Sequence, residues 1–286
     1  MSFQILTDST ADLPEQWLAD NAVQVLGLTV QVDGMHFETV GAERLTSPVL
    51  LEKMAAGSQP TTSQINVGQF EEVFRNHAQN GEALLYIAFS SVLSGTYQSA
   101  VMARDIVIEE FPEAIIEIVD TLAASAGEGY LVMEAAEVRA AGGSLSEAKA
   151  RVENLAPRLK THFLVDDLNH LMRGGRISKA SAVIGGVINI KPIISIQSDG
   201  SLGTAAKARG KKKAIAEFVR LGLNDLAEST VIVAYADDQE AAKAIKNEIL
   251  KDPRVKQVLL FPLGPIIAAH VGSGTLALFT IGNKAR

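Results

Sequence analysis

Leu84-Leu85-Tyr86-Ile87-Ala88-Phe89 is an unbroken apolar run that empties directly into Ser90-Ser91-Val92-Leu93-Ser94-Gly95-Thr96. A run of this length bounded by turn residues reads as a strand buried on both faces, and such strands belong to parallel sheets covered by helices. The neighbouring segments fit that constraint. Phe3 to Thr7 is β-prone and ends in Asp8-Ser9-Thr10, and Gly95 to Glu110 reads as a helix stopped near Pro112. Ile115 to Val119 is the next strand, ending at Asp120-Thr121, and Ala124 to Ala141 is helical up to Gly142-Gly143. This alternation predicts a Rossmann-like, mostly parallel sheet with helices on both faces. The clusters Asp8-Ser9-Thr10, Ser90-Ser91 and Asp120-Thr121 all follow strands, on the edge where open α/β sheets bind ligands.

The remaining elements follow from local signals. Asp12-Leu13-Pro14-Glu15 has the form of a helix start with Asp12 as N-cap. Val23 to Val32 is β-rich, Asp33-Gly34 predicts a hairpin turn, and helical patterns run around Pro48 to Ala56 and Val67 to Gln79. Ser146 opens another helix, with Lys149 and Arg151 spaced as on a solvated face. Pro157 marks a boundary, which gives an N-terminal α/β domain over 1–158 and a C-terminal α+β sandwich over 159–286. In the latter, Phe163 to Val165 is strand-like, and Pro192 to Gln197 pairs with Leu202 to Lys207 through Ser198-Asp199-Gly200-Ser201. A helix from Lys211 to Ala227, strand Val231 to Ala236, helix Gln239 to Leu250 and strands Val255 to Phe261 and Leu276 to Ile281 complete it.

Composition excludes several function classes. A net charge of −7 argues against broad affinity for nucleic acid. The absence of cysteine removes disulfides, thiolate catalysis and Cys-ligated zinc. The N-terminus lacks the basic start and apolar run of a signal peptide, and Val183 to Ile190 and Thr275 to Ile281 fall short of the roughly 18 residues of a membrane span. A cytoplasmic protein is expected. No histidine pair has metal-site spacing, Gly127-Glu128-Gly129 lacks the third glycine of a dinucleotide fingerprint, and no G-x-S-x-G elbow occurs.

Two hydroxyl-rich loops remain, Pro60-Thr61-Thr62-Ser63-Gln64 and Ser90 to Ser99, together with His270 after Gly264-Pro265. Small hydroxyls, backbone N–H groups and an imidazole form a cradle for a carboxylate or phosphate. Ser94 reads equally as a helix cap with no ligand, with Gly95 allowing close approach to the backbone. Arg173-Gly174-Gly175-Arg176 is either a solvated turn with Arg176 paired to Asp166 or Asp167, or an anion or partner-docking site. Lys207 through Lys213 places five basic residues in seven, where helix stability alone does not call for them.

In their order and spacing these segments resemble the DegV family, the lipid-carrying B subunits of bacterial fatty acid kinase. The matching pieces are Thr7 through Pro14, the Pro60–Gln64 loop, Ser94 through Ala100, Asp120-Thr121, Val165 through Leu168 with Leu171 through Ser178, Lys191-Pro192, Lys207 through Lys213 and Gly264-Pro265 with His270. The resemblance implies one long-chain fatty acid bound between two domains, with no cofactor and no catalysis by this chain. Thr62, Ser94 and His270 would hold the carboxylate, helped by Ser63 and the Gly95 backbone. Arg173, Arg176 and Arg209 would serve docking or phosphotransfer with an ATP-binding kinase subunit, the acyl phosphate passing to phospholipid synthesis. Such a carrier is compatible with transient membrane contact. The chain departs from the family pattern at Ile65-Asn66 and at Gly272-Ser273-Gly274. The competing expectations are a stand-alone hydrolase or acyltransferase built on Ser94 or Thr62 with His270, and a binding module for another small carboxylate.

Overall fold

The computed structural model describes residues 3–178 and 190–286. The chain opens with β1 (Gln4–Asp8) and β2 (Val23–Leu26) and makes a small antiparallel set from β3 (Thr29–Val32), β4 (Met35–Glu38) and β5 (Thr61–Ser63). It returns with β6 (Leu84–Ala88) and β7 (Ile116–Asp120). β1, β2, β6 and β7 form an all-parallel sheet in the order β2-β1-β6-β7. Strand order reverses at β1, so the carboxyl ends of β1 and β6 open the crevice that parallel sheets use for ligands. Every residue of β6 is buried, as the apolar run predicts.

The second sheet is built from β8 (Leu159–Leu164), β9 (Ile190–Ile196), β10 (Leu202–Arg209), β11 (Thr230–Tyr235), β12 (Gln257–Pro262) and β13 (Leu276–Ile281). Its order is β10-β9-β8-β13-β11-β12, antiparallel except between β11 and β12. The helices Lys211–Leu223 and Gln239–Ile249 cover its outer face, where Phe218, Ile245, Val233 and Leu278 form a core of their own. The inner face, with Leu159, Phe163, Ala277 and Phe279, joins the larger core of the first half. The architecture is thus the expected two-domain α/β arrangement, a parallel sheet and a separate mixed sheet.

The helix Ala126–Ala140 lies between the layers, and its glycines explain how. A Cβ on Gly129 would stand 2.4 Å from the Ala11 carbonyl oxygen, and one on Gly127 would stand 2.8 Å from the Phe279 ring. Gly127-Glu128-Gly129 is therefore a packing device, letting the helix touch the β1 loop on one side and the second sheet on the other. Between the glycines Glu128 is fully buried, accepting hydrogen bonds from Thr7 Oγ1 (2.9 Å) and facing Thr10 Oγ1 at 2.8 Å. The Thr10 hydroxyl also lies 2.6 Å from Asp8, whose carboxylate further accepts from the Thr10 and Phe89 amides and the Tyr86 hydroxyl. One hydroxyl proton cannot serve two carboxylates. Burial raises both carboxyls, Glu128 well above the ordinary range, while Asp8 is held back by the bonds it accepts from Thr10, Tyr86 and Phe89, so the shared proton belongs with Glu128.

Four local expectations change. Asp12 does not cap the first helix: Pro14 occupies the N-cap of Glu15–Asp20, and Asp12 is turned inward with φ of 51°. The Val23–Val32 stretch splits at Gly27-Leu28 into β2 and β3, which join different sheets, and Gly27 there packs so closely on Val40 that a Cβ would stand 2.8 Å from it. The helix expected from Ser146 starts at Leu145, with Ser144 and Glu147 forming a reciprocal capping box. Arg151 is not simply solvated, since it bridges Glu134 and Glu228 at 2.7 and 3.3 Å. The apolar stretch Val183 to Ile190 lies, but for Ile190, outside the described residues. No helix among the described residues is long and apolar enough to cross a membrane.

Asp12 instead ties three segments together, its carboxyl hydrogen-bonding the Ser125 hydroxyl at 2.5 Å and accepting from the Gly264 amide at 2.8 Å. Burial pushes this carboxyl from its ordinary 3.8 up to about 8. Its folded form therefore keeps a proton that the unfolded chain has lost, so the associated stability is complete below about pH 4 and lost as pH rises towards 8. Asp12→Asn, a permanent mimic of the protonated group, should match wild type in urea midpoints near pH 4 and exceed it increasingly towards pH 8. Asp12→Ala, which strands both partners, should lose on the order of 1–3 kcal/mol throughout.

Candidate functional site

Between the inner face of the second sheet and the carboxyl edge of the first lies a cavity of about 360 Å³, within the roughly 300–1,000 Å³ usual for ligand sites. Its walls are apolar, with Phe89, Leu93, Phe163, Ile196, Ile266 and Phe279 among them. Its polar groups include Thr62, Ser63, Gln64, Ser94, Arg176 and His270. Residues spaced two apart on β8 and β13, Phe163 with Thr161 and Ala277 with Phe279, reach the same cavity because alternate side chains of a strand share a face. A wider cleft of about 1160 Å³, lined by Asp8, Asp12, Arg44 and Asp237 among others, contains none of these hydroxyl-loop residues.

Each polar group arrives on a different element. β5 carries Thr62, with Val30 of β3 as its paired neighbour. The short helix Pro265–Val271 carries His270 near its end, and Gly264, held by Asp12, is its N-cap. Thr62 Oγ1 and His270 Nε2 are hydrogen-bonded at 2.8 Å. Burial and the neighbouring Arg176 guanidinium push the imidazole from 6.5 down to about 4, so it is neutral at physiological pH. Ser94 lies after the carboxyl end of β6, where its hydroxyl contacts Thr96 Oγ1 at 2.9 Å and accepts from the Thr96 amide at 3.2 Å. It does help order the start of the Thr96–Glu110 helix, yet it also faces the cavity.

Gly95 borders the site without lining it. A Cβ there would stand 2.2 Å from Gln64 Oε1, so glycine is what lets the Gln64 side chain cross to Ser99 Oγ at 2.9 Å. Gln64 thereby becomes a wall of the cavity, a role only the tertiary fold reveals. The departure at Ile65-Asn66 is accommodated: Ile65 is fully buried, and Asn66 with Gln69 caps the next helix reciprocally.

The Arg173-Gly174-Gly175-Arg176 turn divides in function. Gly174 lies directly against the imidazole, where an added Cβ would meet His270 Nδ1 at 2.4 Å. Arg176 pairs with neither Asp166 nor Asp167. It donates to the Leu93 carbonyl at 3.1 Å and the Gly174 carbonyl at 2.6 Å, so its guanidinium closes the hydroxyl loop over the cavity. Asp166 is instead paired with Lys191 at 2.7 Å. Arg173 is exposed, with its guanidinium 2.8 Å from His170 Nδ1. Arg209 is exposed at the end of β10, and Gly210 (φ 82°) turns the chain into the helix begun by Lys211, Lys212 and Lys213. No group of His, Cys, Asp or Glu among the described residues is placed to hold a metal ion.

Comparison with known proteins identifies the family. The model of the DegV family of uncharacterised proteins matches residues 2–283. A DegV domain-containing protein of Streptococcus pyogenes serotype M1 is 57% identical over all 286 residues, covering 100% of each chain. A counterpart from Lactococcus lactis is 46% identical over the full length of both chains. Among solved structures, a fatty-acid-binding DegV family protein from Thermus thermophilus superposes with a TM-score of 0.88 at 33% identity, over 99% of this chain and 100% of that one. A fatty acid binding DegV family protein from Streptococcus agalactiae gives 0.86 at 26%, over 99% and 100%. With a full-length sequence match, close relatives throughout and the same fold, the chain belongs to the DegV family.

Proposed function

We propose that this protein binds one long-chain fatty acid between residues 1–158 and 159–286 and presents its carboxylate to an ATP-bearing kinase subunit. The observation that carries the reading is an apolar cavity in which Thr62, Ser94 and a neutral His270 converge. A buried carboxylate is unfavourable unless donors meet it, and hydroxyls with an imidazole supply donors. Apolar walls favour the tail by roughly 0.8 kcal/mol per buried CH₂. The fatty-acid-binding relative from Thermus thermophilus supports the same ligand class.

The donor set suits a carboxylate that must still react. Two hydroxyls and an uncharged ring hold the oxygens without neutralising them, which leaves a lone pair able to attack a γ-phosphorus atom. Arg176 has two of its N–H groups committed to carbonyls beside the cavity, so it stabilises the loop and the charge developing near it. Arg173 and Arg209 are exposed, which supports assigning them to the kinase surface, and on this reading the carrier works in the cytoplasm.

Ser94→Ala and His270→Ala should each weaken palmitate binding by about 1.5–3 kcal/mol, the worth of a hydrogen bond to a charged group. Isothermal titration of delipidated protein measures this, and wild-type affinity in both variants would exclude the head-group assignment. Arg173→Glu with Arg209→Glu should lower acyl phosphate formation by a kinase subunit while palmitate binding persists. Loss of palmitate binding in that double variant would move the arginines into the pocket.

The Thr62–His270 contact also has the spacing of a nucleophile and its base, which favours an acyltransferase as a second reading. Among the described residues no carboxylate is hydrogen-bonded to His270 to orient it as a base. Turnover of acyl esters by wild type that disappears in Thr62→Val would establish that reading, and no turnover would remove it.

A further inference from the structure

Thr161 is the one buried threonine among the described residues whose hydroxyl has no partner. Eight threonines are buried: Thr7, Thr10, Thr39, Thr96, Thr121, Thr161, Thr275 and Thr280. Seven of them hydrogen-bond a carbonyl, a carboxyl or a second hydroxyl. Thr161, 4% exposed, has Oγ1 unpaired and lies on the wall of the cavity.

Its surroundings deepen the anomaly. Leu159 and Phe163, its neighbours on the same face of β8, are apolar. Phe279 stands opposite on β13, and the antiparallel β8–β9 register, which pairs His162 with Ser195, brings Ile196 to the other side. A trapped water wants two to four polar partners and would find the Thr161 hydroxyl alone among these side chains. Valine, β-branched like threonine and as strand-prone, would fill the same space without a polar atom, so strand formation does not require the hydroxyl.

The location says what the hydroxyl meets. Thr275 Oγ1 bonds the Val271 carbonyl beside His270, which places that end of β13 with the head group. Phe279 is four residues further on, roughly 13 Å along an antiparallel strand, and Thr161 is its paired neighbour. Thr161 therefore faces the distal part of a tail whose carboxylate lies at Thr62, Ser94 and His270.

Resting on the fatty-acid reading above, we infer that Thr161 selects acyl chains carrying a hydroxyl group in their distal half. Such a substituent gives the orphan oxygen a partner and brings its own hydroxyl into an otherwise apolar wall with a bond already made. An unsubstituted chain leaves Thr161 dehydrated and unpaired.

The test is competition for the delipidated full chain between stearate and monohydroxystearates bearing the hydroxyl at successive distal carbons. At least one isomer should outbind stearate on the order of 10-fold in wild type. Thr161→Val should reverse this order, tightening stearate and weakening that isomer, while Thr161→Ser should retain the preference. Stearate binding with no isomer preferred, or a preference that survives Thr161→Val, overturns the assignment to Thr161 and leaves fatty acid binding standing. If neither stearate nor any hydroxystearate binds, the fatty-acid reading falls and this inference with it.

Discussion

The carboxyl of Asp12 is the joint on which the site depends. It links the loop after β1 to Ser125, ahead of the helix between the two layers, and to the Gly264 amide, at the start of the helix that carries His270. Residues 113 and 252 positions away along the chain are thereby fixed relative to the first sheet. A buried ionised carboxylate in that position would be strongly destabilising, and the group resolves this by keeping its proton. Nearby, Asp8 and Glu128 divide charge and proton between them over the same loop. The Thr7-to-Asp12 segment thus serves as an internal fastening, and the apolar cavity forms beside it.

That fastening explains the electrostatic character of the cavity. Held against Gly174 and half-buried, His270 is neutral, and Arg176 adds positive potential while spending its donors on backbone carbonyls. The result is a site of directed dipoles, with positive charge near but not in direct ion pairing among the protein's own groups. Such an arrangement is the one the proposed fatty-acid reading calls for, with preorganised donors and no direct counter-ion.

Periodicity made much of this legible in advance. The β6 run, the strand–helix alternation and the hairpin at Asp33-Gly34, where both residues take positive φ, are local features, and they appear in the structure as expected. Local signals also misled. Asp12 followed by Pro14 and Glu15 has every mark of a helix cap, but its side chain found partners in the second half of the chain. Arg176 had two nearby aspartates as obvious partners and took carbonyls instead, because the turn folds onto the Ser90–Gly95 loop.

Sequence alone determined most of the elements and the residue types able to cradle an anion, because each depends on short-range preference or on chemistry carried by single side chains. It could not determine that Thr62 and His270, 208 residues apart, would meet at 2.8 Å, nor that Gln64 would cross a glycine to form a wall. It did not mark Thr161, which reads as an ordinary β-branched strand residue until its neighbours are known. Those facts belong to the tertiary structure, since burial, pKa and hydrogen-bond satisfaction are properties of a side chain's surroundings. In this protein the surroundings of each key group come from segments far away along the chain.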